Sequence, residues 1–71
     1  MSALAEEILS ILAKKGRIAI TDVQDSFSVT KETARMAVNF LMKFGFVELD
    51  ESKAYILLSE PCQRFFAETN D

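Results

Sequence analysis

Histidine and tryptophan are absent from this 71-residue chain, and cysteine and proline each occur once. With Cys62 as the only thiol and no imidazole, the chain cannot build an internal disulfide, a zinc site of cysteine and histidine ligands, or a catalytic triad with a histidine base. The length also excludes a two-lobed enzyme with a substrate cleft between its lobes. We therefore expect a protein that is not an enzyme and that uses no cofactor and no metal.

Long apolar runs are missing as well. No stretch approaches the roughly 20 apolar residues of a membrane-spanning helix, and the N-terminus carries Glu6 and Glu7 where a secretory signal peptide would be basic. We expect a cytoplasmic protein with no membrane association.

Positive charge is scarce, because 8 lysines and arginines face 11 acidic residues and the formal charge is -3. Proteins dedicated to nucleic-acid binding are commonly basic, since neutralising phosphates supplies much of their affinity. The cations are nevertheless concentrated in the middle of the chain. Residues 28–45 contain Lys31, Arg35 and Lys43 against Glu32, a local charge of +2.

The composition that is present, 49% apolar and 27% charged, is typical of a globular chain rich in helix formers. It indicates one domain over residues 1–71. An apolar face with helical spacing predicts a first helix over residues 2–15, capped by Ser2 and ended by Gly16. That face comprises Leu4, Ile8, Ile11 and Leu12.

Two short elements follow the first helix. Residues 17–20 are β-branched at alternate places and predict a short strand. Thr21 with Gln24 three residues later forms a capping-box pattern, which predicts a second helix over residues 22–27.

The third helix, predicted over residues 31–44, has the strongest pattern. Thr30 can cap it, and Gly45 followed by Phe46 indicates a Schellman stop in which Phe46 contacts Leu41. Its predicted buried face comprises Ala34, Ala37, Val38 and Leu41.

A hairpin and a last helix complete the order helix, strand, helix, helix, strand, strand, helix. Residues 46–50 and 54–58 alternate as two strands joined by a polar tip at 51–53. A helix over 60–69 then begins with Ser59 as cap and Pro61 in its first turn. The apolar side of this last helix comprises Cys62, Phe65 and Phe66.

This order resembles the winged helix-turn-helix superfamily over nearly the whole chain. Residues 33–47, TARMAVNFLMKFGFV, show the family's threonine, its small or apolar core positions, and a leucine four residues before a glycine that two apolar residues follow. Residues 58–66, LSEPCQRFF, are similar to the segment after the wing in small archaeal and bacterial regulators, with Cys62 where those proteins usually have glycine. The resemblance implies an α+β winged helix, with a three-helix core and a small antiparallel sheet that carries the wing.

The resemblance also implies binding of double-stranded DNA, with the third helix in the major groove and the 46–58 hairpin as wing. On the outward side of that helix, Arg35 can pair with guanine and Asn39 with adenine, while Met36 can touch a thymine methyl group. Candidate phosphate contacts are Thr30, Lys31, Thr33 and Lys43, with Arg17 in the first strand and Lys53 on the wing. Any single surface lysine or arginine among them, taken alone, is more typical of a solvated helix face.

Two features favour a different function. Met36 and Phe40 lie four residues apart on the outward side of the third helix, a spacing that more often marks a protein contact than a groove contact. The wing is also acidic, because Glu48, Asp50 and Glu51 outnumber Lys53. The alternative is therefore a winged-helix interaction or assembly module that binds a protein partner and no DNA.

Phe65 and Phe66 either pack on the domain or contact a second copy of the chain. The second arrangement predicts a homodimer whose two third helices address successive major grooves. The function expected from the sequence is thus a homodimeric, DNA-binding transcriptional regulator.

Overall fold

Residues 3–69 are described by the structure, a computed structural model, and they confirm the predicted order of elements. The elements are α1 (Ala3–Lys15), β1 (Arg17–Ala19), α2 (Ile20–Ser26), α3 (Lys31–Lys43), β2 (Val47–Leu49), β3 (Tyr55–Leu58) and α4 (Glu60–Thr69). The proposed cap of the first helix, Ser2, lies outside the described residues. No helix within residues 3–69 is both long enough and apolar enough to cross a membrane.

The three strands form one antiparallel sheet in the order β1-β3-β2. Ile18 lies opposite Ile56 in the β1–β3 pair, and Val47 lies opposite Leu58 in the β2–β3 pair. All four side chains are buried, so both strand pairs contribute to the core. The short first strand, which has no partner next to it in sequence, is thus stabilised by pairing with the second strand of the hairpin. This pairing closes the sheet over the helices.

The core lies between the sheet and the first three helices. Its largest fully buried side chains are Ile8, Leu12, Val23, Leu41 and Ile56. The predicted inner face of α3 is confirmed, since Ala34, Val38 and Leu41 are buried and Ala37 is partly buried.

The boundary between β1 and α2 differs from the prediction. The strand ends at Ala19, and Ile20 begins a helix that ends at Ser26, so the predicted ranges 17–20 and 22–27 are both displaced. The capping box predicted at Thr21 is wrong, because Thr21 already lies inside α2 and Ala19 occupies the cap position without a side-chain bond. The reason is tertiary: the N–H of Ile20 donates to the carbonyl of Ala54 at 2.9 Å, which ties the start of the helix to the sheet.

Both ends of α3 are fixed as predicted, although the helix ends one residue earlier, at Lys43. The N–H of Thr33 donates to the hydroxyl oxygen of Thr30 at 3.1 Å, which confirms the cap. Gly45 adopts a φ of 77°, and the N–H of Phe46 donates to the carbonyl of Leu41 at 2.9 Å. These features form the Schellman stop, and they set the direction in which the chain enters β2.

Ser59 connects the end of α3 to the start of α4. It lies immediately before α4, but its hydroxyl donates to the carbonyl of Gly45 at 2.7 Å, and its N–H donates to the carbonyl of Phe46 at 3.0 Å. Ser59 holds the predicted position before α4, where its carbonyl accepts from the N–H of Gln63 at 2.9 Å, and its hydroxyl adds a long-range bond that was not predicted. On α4, Phe66 packs against the core while Phe65 is 62% exposed.

Candidate nucleic-acid interface

The outward face of α3 follows from the way this helix is held. α1, α2 and β2 pack against it, and the small or aliphatic side chains of its inner face allow that close approach. Because the buried positions share one side, the remaining side chains must point to solvent. The residues of α3 that were predicted to meet DNA are all exposed: Lys31, Thr33, Arg35, Met36, Asn39 and Lys43.

Three polar residues form a stripe along one flank of this outward face. Lys31, Arg35 and Asn39 follow each other at intervals of four and define what we call the polar stripe. They border an open, largely apolar groove of about 280 Å³ between α3 and α2, with Leu49 of β2 at one end. The structure thus places the two proposed base-reading side chains side by side on exposed helix surface.

Arg35 forms an ion pair with Glu32. Its guanidinium donates a hydrogen bond to the carboxylate of Glu32, one turn earlier, and the two side chains are 60% and 66% exposed. An ion pair this exposed contributes about 0–1 kcal/mol and exchanges readily with solvent. The guanidinium can therefore leave Glu32 for a base edge, but the carboxylate then remains next to the proposed DNA surface.

The start of α3 gathers the proposed phosphate contacts. Thr30, Lys31 and Thr33 lie in or next to the first turn, at the positive end of the helix dipole. The hydroxyl of Thr30 donates to that of Thr33 at 3.0 Å, which leaves the proton of the Thr33 hydroxyl free to be directed outward. The arrangement is suited to an anion such as a backbone phosphate.

A second stripe on α3 is apolar, and the sequence revealed only part of it. Met36, Phe40 and Phe44, called here the apolar stripe, are 62%, 39% and 58% exposed. The rings of Phe40 and Phe44 pack with their centroids 4.8 Å apart. The sequence-based interpretation included Met36 and Phe40 but not Phe44. The spacing could have indicated Phe44, because it follows Phe40 by the same four residues and lies at the predicted end of the helix.

Arg17 lies on the sheet and not on α3. Its guanidinium stacks over the ring of Tyr55 on the paired strand, 4.5 Å from the centroid. Such stacking holds the cation in a defined position while leaving its N–H groups available for a phosphate. Lys53 occupies the hairpin tip with a φ of 62°, which turns the chain back toward β3.

Asp50 organises the tip of the wing. Its carboxylate accepts a hydrogen bond from the Ser52 hydroxyl at 2.8 Å and one from the N–H of Tyr55 at 3.3 Å. Burial at the tip raises the pKa of this carboxyl, but the bonds from Ser52 and from the backbone N–H groups of Tyr55, Ala54 and Lys53 outweigh it and lower the pKa from 3.8. One of the three wing acids is therefore structural, while Glu48 and Glu51 are simply exposed.

The described residues contain no group of three or more cysteines and acids that could hold a metal ion. The pocket between α1 and α4 is lined by Leu12, Leu58, Gln63 and Phe66 among others. None of these side chains is charged, so this pocket offers no counterpart to the polar stripe.

No protein-family model matches the chain, and no curated protein matches it in sequence. Solved structures do match. The chain is similar to NadR in complex with 4-hydroxyphenylacetate, with a TM-score of 0.81 and 16% identity over 99% of this chain and 53% of that one. Ligand-free NadR gives a TM-score of 0.77 at 16% identity, over 99% and 52% of the two chains.

The adhesin competence repressor AdcR from Streptococcus pyogenes is also similar, with a TM-score of 0.73 and 21% identity over 99% of this chain and 55% of that one. The chain thus spans about half the length of each of these proteins. At such identities the likeness concerns the fold. The chain has the winged helix-turn-helix fold, with α2 and α3 as its helix-turn-helix and the β2–β3 hairpin as its wing.

Proposed function

We propose that this chain is a DNA-binding transcriptional regulator that places α3 in the major groove and the 46–58 hairpin against the backbone. The observation that carries the proposal is the polar stripe, exposed on a helix whose two ends are fixed by the Thr30 cap and the Gly45 stop. A fixed helix loses little conformational entropy on binding. The similarity to AdcR, which is named a repressor, supports the same reading through the shared fold.

The proposed roles follow the positions of the side chains. Arg35 pairs with guanine and Asn39 with adenine through two hydrogen bonds each, and Met36 touches a thymine methyl group. Phosphates are contacted by Thr30, Lys31 and Thr33 at the start of α3, by Lys43 at its end, and by Lys53 and Arg17 on the sheet side.

The acidic composition sets the expected strength of binding. Only about four cations outside the base-reading pair are placed for phosphate contact, so the logarithmic salt dependence should have a slope of about -3 to -4. We expect modest affinity that depends strongly on the base contacts. The target lies in the cytoplasm under this proposal.

A selection from a randomised duplex pool at low salt, followed by anisotropy measurements on the selected duplex, tests the proposal. Replacing both Lys31 and Arg35 by alanine should weaken binding by about 100-fold or more, because one phosphate contact and one base contact are lost. The Lys14→Ala, Lys15→Ala double variant is the matched control, since it also removes two exposed cations but from α1, which carries no proposed DNA contact. Unchanged binding by the double variant would contradict the proposal.

A DNA-reading homodimer requires an interface that leaves both copies of α3 accessible. We place it on α4, where Phe65 is exposed. In such a dimer the two α3 helices would lie about 34 Å apart, one turn of DNA. Sedimentation of the complex with the selected duplex distinguishes one bound chain from two.

A protein-interaction module is the second candidate, and the apolar stripe is the observation that favours it. Replacing Phe40 and Phe44 by serine removes the stripe without adding charge. Loss of a partner protein with unchanged duplex binding would favour the module. Unchanged duplex binding without loss of any partner would favour the regulator.

A further inference from the structure

The apolar stripe is a continuous ridge of three large side chains on exposed helix surface. At about 100° per residue, each member lies about 40° around the helix from the one before, so the ridge runs obliquely along α3. Contiguous apolar surface of this kind usually marks a contact with another protein. The apolar stripe therefore predicts a contact with another protein chain, and the charged residues beside it indicate which chain.

Glu32 and Lys43 lie on the same flank of the ridge, at opposite ends of α3. They are separated by about 16 Å along the helix axis but by only about 20° around it. Both are on the side of Met36. The flank is thus acidic at the start of the helix and basic at its end.

This pattern is self-complementary. When two identical helices pack antiparallel about a two-fold axis, the same flanks meet, and the start of one helix faces the end of the other. Glu32 then faces Lys43 of the second copy, and Lys43 faces Glu32 of the second copy. Within one residue, the same register sets Met36 opposite Phe40 of the second copy.

The charges are available for such a contact. Lys43 forms no ion pair with any of residues 3–69, and Glu32 holds Arg35 only through an exposed pair that exchanges readily. A two-fold axis that sets this flank against itself pairs each acid with a base, so a second copy of the chain matches the flank without any further charge. We propose that, away from DNA, α3 pairs antiparallel with α3 of a second copy of this chain through the apolar stripe.

The pairing has a consequence that rests on the proposed function. Packed helices lie about 8–10 Å apart, and a major groove about 12 Å wide admits one helix. The second copy would occupy the space through which the DNA backbone passes beside α3. Self-pairing and DNA binding are therefore mutually exclusive, and rising protein concentration in the absence of DNA blocks the approach of DNA to α3.

Sedimentation equilibrium without DNA tests the pairing. Three side chains bury less surface than the roughly 800 Å² per partner of a standard interface. We therefore expect weak association, at protein concentrations of about 10 µM to 1 mM. The mean mass of the native chain should rise over this range, and the Phe40→Ser, Phe44→Ser double variant should associate at least about tenfold more weakly. A native chain that stays monomeric throughout, or a double variant that associates equally well, would overturn the proposal.

A charge exchange identifies the second copy as the occupant. Glu32→Lys alone brings two pairs of lysines together, and Lys43→Glu alone brings two pairs of glutamates together, so each variant should associate about threefold or more weakly than the native chain. An equimolar mixture should associate more tightly than either variant, because the mixed pair restores both contacts. Glu7→Lys mixed with Lys15→Glu is the matched control, since it repeats the net charges on α1 and should show no such gain.

A mixture no tighter than its separate components, or a gain equal to that of the α1 control, would contradict the two-fold register. Exclusion of DNA is measured separately, by adding a mixed-sequence duplex of about 30 base pairs at low salt. The α3 pair should dissociate as the duplex binds, and a pair that persists on bound duplex would contradict exclusion. Failure of the duplex to bind would count against the proposed function and leave the sedimentation results unaffected.

Discussion

Arg35 has an acid as its nearest polar neighbour, and this limits what its guanidinium can offer to DNA. The carboxylate of Glu32 neutralises the only arginine of α3 and lies on the surface that would approach phosphate. The i, i+3 spacing of these two residues could be read from the sequence, but the bond itself could not, because surface side chains of this length adopt many rotamers. Glu32 is thus the residue that most directly opposes DNA binding.

Glu32→Gln should increase affinity for duplex DNA by about 3- to 10-fold, because it releases Arg35 and removes a negative charge from the interface. The logarithmic salt dependence should become steeper by up to about one unit. Anisotropy titration at several salt concentrations measures both effects. Glu60→Gln, which breaks the corresponding pair with Arg64 on α4, is the control, and an equal gain from both variants would contradict the role of Glu32.

Asp50 makes the wing sensitive to acid. Its pKa is lowered in the folded chain from 3.8 by the bonds at the tip, so its stabilising effect is full above the unfolded pKa and is lost as pH falls through the folded pKa. The protection factor of the Tyr55 amide, the intrinsic exchange rate divided by the observed rate at the same pH, should therefore fall as the pH is lowered from about 5 to about 3. In Asp50→Asn, which cannot titrate, this loss of protection should be absent, and its persistence would contradict the assignment.

At the scale of elements, the ends of α3 could be predicted because the residues that fix them are local. Thr30 bonds to an N–H three residues away, and Gly45 takes the left-handed conformation that stops the helix. The start of α2 and the role of Ser59 could not be predicted in this way. Ile20 is tied to Ala54 and Ser59 to Gly45, partners distant in sequence that meet only in the assembled fold.

Gly45→Ala should lower the free energy of unfolding by about 1–2 kcal/mol, since an L side chain disfavours the left-handed region. A Cβ at this position would meet no atom within 4 Å, so the cost is one of backbone conformation and not of packing. Gly45→Asn should lose less, because asparagine tolerates positive φ. Urea unfolding measures the difference, and equal losses for alanine and asparagine would contradict the backbone explanation.

For the whole molecule, periodicity was sufficient to predict the order of elements and the inner face of α3. The sequence also identified the polar stripe as outward, since those residues lie opposite the predicted core. It did not show that Arg17 stacks on Tyr55 or that Asp50 holds the wing tip, because both depend on the pairing of strands. The predicted strand 54–58 did place Tyr55 in the hairpin, but its neighbour across the sheet comes from β1.

The distribution of charge gives α3 two competing uses. The chain is acidic overall, with a formal charge of -3, yet α3 carries exposed cations on the same helix as the apolar stripe. The proposed DNA binding would use the cations and leave the apolar stripe beside the groove, while the proposed self-pairing would bury the apolar stripe and block the approach of DNA. Regulation by protein concentration follows if both occur.

The most direct test of the central claim is an NMR titration of the chain with the duplex selected from the randomised pool, following every backbone amide. The account predicts the largest shift changes over residues 30–43 on α3 and smaller ones at the wing tip 51–53. Changes concentrated on α4 or α1, with α3 unaffected at saturating duplex, would contradict recognition through α3.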